Sequence, residues 1–515
     1  MCVVWKKMSK FAPKIIRNTI VMLRKIRLTL AFVFFMGVTL LFLDFTGVAH
    51  AWLAWMAQIQ FLPALLAANG LVLLVLVILT LLLGRVYCSV ICPLGILQDL
   101  MAWVGRRGKR KKAPYGYSRE LRWLRWGVFS AFVVLFAFGL QAVAWLIAPY
   151  SAFGRIASNL FAPVYRSGNN LIASVAERAD SYAFYSTDVW IKSLPTFLVA
   201  LATFVVLFIL AWRGGRTWCN TICPVGTILG YLSRFSFMKV RIDESKCNRC
   251  GLCSKKCKAS CIDGKHHKVD YSRCVACMNC LDTCKHGAIN FGYGSVKKHK
   301  TEEPVEDNGR RTFITATTAL AVSAAVEAQT KKVDGGLAVV EDKVAPNRAT
   351  PVLPAGSLSA HHLARHCTSC QLCVSACPNG VLRPSSSLET FMQPEMSFER
   401  GYCRPECTRC ADVCPTDAIK PITVEEKSST RIGHAVWVKK NCIPLTDGVS
   451  CGNCARHCPS GAIQMVPIDS EDEESLKIPV VNTERCIGCG ACEHLCPARP
   501  YSAIYVEGHE RHSNY

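Results

Sequence analysis

Residues 247–257 read CNRCGLCSKKC, and residues 274–284 read CVACMNCLDTC. Both carry Cys-x2-Cys-x2-Cys-x3-Cys. A [4Fe–4S] cubane needs four thiolates. Three cysteines at this spacing wrap one cube from a single short loop, and the fourth opens a helix and reaches a second cluster. The exchange puts Cys247, Cys250, Cys253 and Cys284 on one cluster, and Cys274, Cys277, Cys280 and Cys257 on the other. Cys261, four residues after Cys257, is the rival ligand. Lys follows both fourth cysteines where Pro is usual, but Pro is only a helix-start preference and ligates nothing.

Four further copies follow: Cys367, Cys370, Cys373, Cys377; Cys403, Cys407, Cys410, Cys414; Cys442, Cys451, Cys454, Cys458; and Cys486, Cys489, Cys492, Cys496. Each ends in Cys-Pro. The second and third have lengthened first gaps, which cost little because loop-closure entropy grows slowly with length. Zinc uses separated cysteine pairs rather than recurring triplets. Disulfides explain the repeat no better. The expectation is six [4Fe–4S] clusters in α+β, bacterial-ferredoxin-like domains.

The chain has 515 residues, is 51% hydrophobic and carries a net charge of +23. That combination suits a membrane protein with basic loops better than a nucleic-acid binder. Residues 1–27 hold eight Lys and Arg and no acid, which argues for a cytoplasmic N-terminus. Four apolar runs follow, near 28–43, 62–83, 124–147 and 194–212, each read as a membrane-spanning helix. The stretch GRRGKRKK between the second and third reads as cytoplasmic, and the Pro149–Lys192 segment as an external loop. Asp44, with His50 nearby, is a candidate proton acceptor from a quinol.

The second and fourth runs end in GRVYCSVICPLG and GGRTWCNTICPVG. The repeat points to an internal duplication that would bring Cys88, Cys92, Cys219 and Cys223 to one membrane face. They are a candidate further redox or metal site, against the plainer reading that small cysteines pack well between helices. The chain has no Walker loop, GxGxxG or CxxCH.

Residues 309–329, GRRTFITATTALAVSAAVEAQ, read as an internal twin-arginine signal that forms a fifth span. The organisation expected is therefore a four-span membrane domain over 1–240, a cytoplasmic two-cluster domain over 241–295, a linker with the signal over 296–355, and a four-cluster domain over 356–515 on the periplasmic side of a bacterial inner membrane.

Residues 1–300 resemble the NapH/MauN type of membrane ferredoxin: four spans, two Cys-x3-Cys-Pro motifs and a two-cluster domain. Residues 309–515 are similar to the NapG/MauM type, through the signal and CTSCQLCVSACPNGVL, ECTRCADVCPTDAI, CGNCARHCPSGAI and CIGCGACEHLCP. The chain reads as a fusion of the two. The resemblance implies electron transfer from the quinol pool, or from a cytoplasmic donor, through the clusters to a periplasmic oxidoreductase, with a nitrate-reductase-type partner favoured. It would make the chain an electron-transfer subunit of a respiratory system. The alternative is a redox maturation or regulatory factor for another metalloenzyme. By analogy with four-cluster subunits of molybdenum reductases, motif one would exchange its last cysteine with motif four, and motif two with three.

Overall fold

The computed structural model describes residues 2–107, 115–284, 286–293, 341–469, 471–472 and 474–514, with side chains from Met22 onward. The expected signal at 309–329 lies outside these residues.

Four apolar helices build a central body: Cys2–Leu43, Gly70–Leu83, Arg122–Ala137 and Leu194–Gly214. Among the described residues, Met22–Leu43 and Leu194–Gly214 are long and apolar enough to cross a membrane. The other two expected spans are interrupted. Leu62–Leu83 divides into Phe61–Leu66 and Gly70–Leu83, because Ala68 is left-handed (φ 51°) and the Asn69 side chain caps the second helix through Val72 N–H. Leu124–Ile147 breaks after Ala137, where Gly139 takes φ 78°. The outward faces are apolar: Leu71, Val75, Ile78 and Leu82 on one helix, and Leu194, Leu198 and Val205 on another, are all exposed. Such a belt on a helix surface suits hydrocarbon rather than water.

The expected external loop at 149–192 is largely helical. Pro149–Ile156, a π-helical turn at Ala157–Phe161 and Ala162–Arg178 follow one another. Every residue of Pro149–Ile156 is buried, against the first and fourth helices. Its polar loop-like composition misled because Tyr150, Ser151 and Arg155 face protein rather than solvent.

The duplication is visible in the packing. Tyr87–Val90 leads into Pro93–Arg107, and Thr217–Thr221 into Pro224–Leu232. Each half lays its last helix on the other: Pro93–Arg107 packs on Leu194–Gly214, and Pro224–Leu232 on Gly70–Leu83.

The middle domain has strands β1 (Lys239–Ile242), β2 (Ile262–Asp263), β3 (Lys268–Val269) and β4 (Ile289–Gly292). β1 pairs antiparallel with β4, Val240 opposite Phe291, and β2 with β3. The last domain adds three antiparallel ribbons: β5 (Leu382–Pro384) with β6 (Pro394–Met396), β7 (Thr430–Trp437) with β10 (Ile504–Asn514), and β8 (Ile463–Pro467) with β9 (Lys477–Val481). Residues 341–355, read as linker, pack into this domain: Arg348 pairs with Glu493 at 2.6 Å, and Val352 is fully buried.

These two domains sit at opposite ends of the Met22–Leu43 segment of the first helix. Near the start of that segment, midway along the helix, Arg24 pairs with Asp282 of the middle domain. Beyond its end, Gly47 lies against Arg409, and Phe42 packs on Gly154, whose Cα faces the Cys370 carbonyl of the last domain. This 22-residue segment, with Arg24, Lys25 and Arg27 at its start, rises about 33 Å at 1.5 Å per residue.

Candidate metal centres

The cysteine loops owe their curvature to two left-handed residues. In the Cys247, Cys274, Cys367 and Cys486 motifs these are the second residue after the first cysteine (Arg249, Ala276, Ser369, Gly488) and the first after the second (Gly251, Met278, Gln371, Gly490), with φ between 47° and 78°. Successive turns of this kind aim backbone N–H groups inward, into a nest suited to an anion. A non-glycine in this region costs roughly 1–2 kcal/mol, so the five non-glycines at matched positions mark a site rather than a chance turn.

Four cavities follow. One is lined by Cys247, Cys250, Cys253 and Cys284; a second by Cys367, Cys370, Cys373 and Cys414; a third by Cys377, Cys403, Cys407 and Cys410; a fourth by Cys442, Cys451, Cys454 and Cys496. The remaining sets are Cys257, Cys274, Cys277 and Cys280, mutually within electrostatic reach, and Cys458 with Cys486, Cys489 and Cys492. The exchange expected in the middle domain is what the cavities display. The exchange expected in the last domain is overturned: motif one trades its fourth cysteine with two, and three with four. Each trade joins consecutive motifs, so each pair closes as a local two-cavity unit. Cys403 N–H donates to Cys489 O at 2.9 Å, which sets the second motif beside the fourth.

Cys261 is fully buried, 3.5 Å from the Cys257 sulfur. Its hydrogen bonds to Cys257 and Cys274 hold its own proton and pull the Cys257 thiol down to about 6. Either sulfur can donate in this contact, which places Cys261 behind Cys257.

The donor sets fit polynuclear clusters. No three described His, Cys, Asp or Glu side chains approach closely enough for one ion, whereas each cavity gathers four thiols around a common space. Burial pushes the Cys454 thiol up to about 11 and Cys489 up to about 12, so a bound cation is what would keep such sets ionised. Two buried cations and a half-buried one, Lys343, lie beside them. Arg155 is fully buried and, among the described residues, donates only to the Trp145 and Leu146 carbonyls at 3.2 and 2.9 Å, with the Cys370 thiol within electrostatic reach. Lys427 lines the Cys403 cavity and donates to Arg404 O at 2.6 Å. Lys343 donates to the carbonyls of Glu493, His494 and Cys496 at 2.7, 2.8 and 2.9 Å. A buried cation held by carbonyls needs a counter-charge, and an anionic cluster held by the cysteines would provide it. None of these cations has a local spacing signal in the sequence.

Cys88, Cys92, Cys219 and Cys223 are brought together as the repeat implies. All four are buried and within electrostatic reach of one another. Gln98 Nε2 points at the Cys219 sulfur at 3.2 Å, Gly226 N–H at Cys223 at 3.3 Å, Arg85 Nη2 at Cys88 at 3.8 Å, and the Gly95 amide at Cys92. The arginines preceding each motif were the legible signal for this shell, since both repeats begin Gly-Arg. Asp44 instead caps its own loop, accepting from Thr46 N–H and Oγ1, Gly47 N–H and Ala49 N–H at 2.7–3.0 Å. His50 Nε2–H donates to Leu41 O at 2.7 Å, with Nδ1 3.4 Å from Asp44.

Known proteins share these segments. A family described as a 4Fe-4S binding domain matches residues 65–112 and 196–243, one stretch for each repeat. A 4Fe-4S dicluster family matches 366–418, which holds motifs one and two, and 449–499, which holds motif four and all of motif three but Cys442. A second dicluster family matches 270–381, joining motifs that the fold places in separate domains. The methylamine utilization ferredoxin-type protein MauM of Methylobacillus flagellatus is 32% identical over 31% of this chain and 70% of its own length. The putative electron transport protein YccM of Escherichia coli K12 is 25% identical over 38% of this chain and 47% of its own. The methylamine utilization protein MauN of Methylobacillus flagellatus is 27% identical over 34% and 48%. The chain thus spans about half the length of YccM and MauN. No solved structure matches.

Proposed function

This chain belongs to the ferredoxin-type proteins with multiple 4Fe-4S domains that include MauM, and from that premise we propose that it is a membrane-bound electron carrier. It is an iron–sulfur electron transfer protein by family. The finer reading is that it accepts electrons from quinol or a cytoplasmic donor and delivers them to a periplasmic oxidoreductase, with a nitrate-reductase-type partner favoured. The observation that carries this reading is the placement of the two cysteine-rich domains at opposite ends of one apolar segment, Met22–Leu43.

On this reading six [4Fe–4S] clusters are bound by the twenty-four motif cysteines. The clusters supply one-electron redox chemistry. The chain's residues position them, supply counter-charge and exclude water. Cys250 is exposed while Cys280 is buried toward the helical body, so the Cys247 cavity faces solvent as the port for a soluble donor. At the far end the order runs from motif one, against the body, through two and four to three, because one and two exchange ligands and Cys403 abuts Cys489.

Anaerobic purification, iron counting and EPR with an added quinol test the proposal. Six cubanes require about twenty-four irons per chain. Clusters reduced by quinol and reoxidised by a periplasmic acceptor support the full route. Clusters that no quinol reduces would remove the quinol step.

A further inference from the structure

The four cysteines of the repeated motifs lie between the two cysteine-rich ends, and one charge beside them is left over. Arg216 is fully buried but neutralised by Asp99, with Nη2 2.8 Å from the carboxylate. Its counterpart Arg85 is equally buried. Arg85 donates to Asn220 Oδ1, Ser272 O and Cys219 O at 3.0, 2.9 and 3.1 Å and reaches toward the Cys88 sulfur, with no carboxylate partner among the described residues. This is the arrangement of Arg155, Lys427 and Lys343 beside the ferredoxin-type cavities. An unpaired buried guanidinium is costly; a bound anionic centre would offset that cost. A disulfide would remove the thiolate charge that Arg85 needs. A single zinc ion would need three ligands closer together than any here.

We infer that Cys88, Cys92, Cys219 and Cys223 together hold a thiolate-ligated iron–sulfur cluster, and that this cluster is the relay joining the two ferredoxin-type ends. The inference rests on the electron-carrier reading above. The loops are shaped for close approach: a side-chain carbon at Gly95 would meet Cys88 O at 2.3 Å, and one at Gly226 would meet Cys219 O at 2.1 Å. On one side, Arg85 joins Ser272 O, two residues before Cys274, to the Cys88 sulfur. Arg27 likewise reaches Ser89 O at 3.4 Å and lies within the field of Cys277. On the other side, Tyr87 is within electrostatic reach of Cys92, Cys88 and Cys223, and Tyr150 is within reach of Tyr87, Cys370 and Cys414. The Tyr150 hydroxyl is buried without a hydrogen-bond partner, and its ring is 6.0 Å from Phe42. One electron enters the four-thiolate cluster from the Cys274 side, and the same electron leaves toward the Cys367 side. No bond forms or breaks and no proton moves.

The test uses the full chain in proteoliposomes, with dithionite, an anion the bilayer excludes, supplied at one face, and EPR of all clusters. Wild type should show reduction at both ends. The double variant Cys88→Ser/Cys219→Ser should lose one cluster's worth of iron, keep the ferredoxin-type signals as evidence of folding, and show reduction only on the dithionite side. The milder Gln98→Ala should keep its iron but lower the potential of one cluster, because it removes a hydrogen bond to sulfur. Unchanged iron in the double variant would overturn the cluster assignment. Lost iron with intact reduction of the far end would overturn the relay. No far-end reduction in wild type would instead refute the electron-carrier reading itself.

Discussion

Cys414 shows what one residue decides. It stands in the second motif but lines the cavity of the first, with Cys367, Cys370 and Cys373. Cys414→Ser should therefore abolish the EPR signal of the cluster nearest the helical body and spare the one held by Cys377, Cys403, Cys407 and Cys410. Loss of the second motif's own cluster instead would contradict the exchange. The ligands were legible because cubane ligation imposes a short, repeated spacing on the chain. The partner of each fourth cysteine was not, since it depends on which loops fold side by side. Arg155, Lys343 and Lys427 were illegible for the same reason: each reaches its site from a segment with no fixed distance to the motif it serves.

At the scale of elements, the buried helix Pro149–Ile156 is the seat of the last domain. A side-chain carbon at Gly154 would meet Cys370 O at 2.3 Å and Phe42 at 2.9 Å. Gly154→Val should loosen this contact at a cost of about 1–3 kcal/mol, read as faster hydrogen exchange across 149–161 and 370–376. The β7–β10 ribbon carries a pH dependence of its own. Burial, then His509, bring the His512 imidazole down to about 4. Above about pH 6.5 a histidine is neutral in both states; between there and pH 4 the unfolded chain binds a proton that the folded one refuses. Stability should fall as pH drops through that window. His512→Gln should reduce this acid loss by about 1 kcal/mol, measured as the difference in denaturant midpoints between pH 7 and 5. An unchanged difference would show that the ring is not held neutral. The long apolar helices were legible from hydrophobicity alone. The breaks at Ala68 and Gly139 were not, because one left-handed residue ends a helix without changing the apolar pattern. The helix over 149–156 was hidden by polar residues that face protein.

For the whole molecule, chain order and charge describe an alternating path. The ends of the apolar helices beside the middle domain carry Arg24, Arg27, Arg85, Arg125 and Arg216; the ends beside the last domain begin or finish at Leu43, Gly70, Ala137 and Leu194. Excess Lys and Arg marks the cytoplasmic side of a membrane protein. This polarity agrees with a cytoplasmic middle domain and a periplasmic last domain, the arrangement an internal export signal at 309–329 would require. Sidedness is the central claim and is measured directly by protease protection. Epitopes inserted after Asp263 and after Asp472, in vesicles of both orientations, report each domain separately. The account predicts that the middle domain is cut only in inverted vesicles and the last domain only in right-side-out vesicles. Cleavage of both from the same face would contradict it.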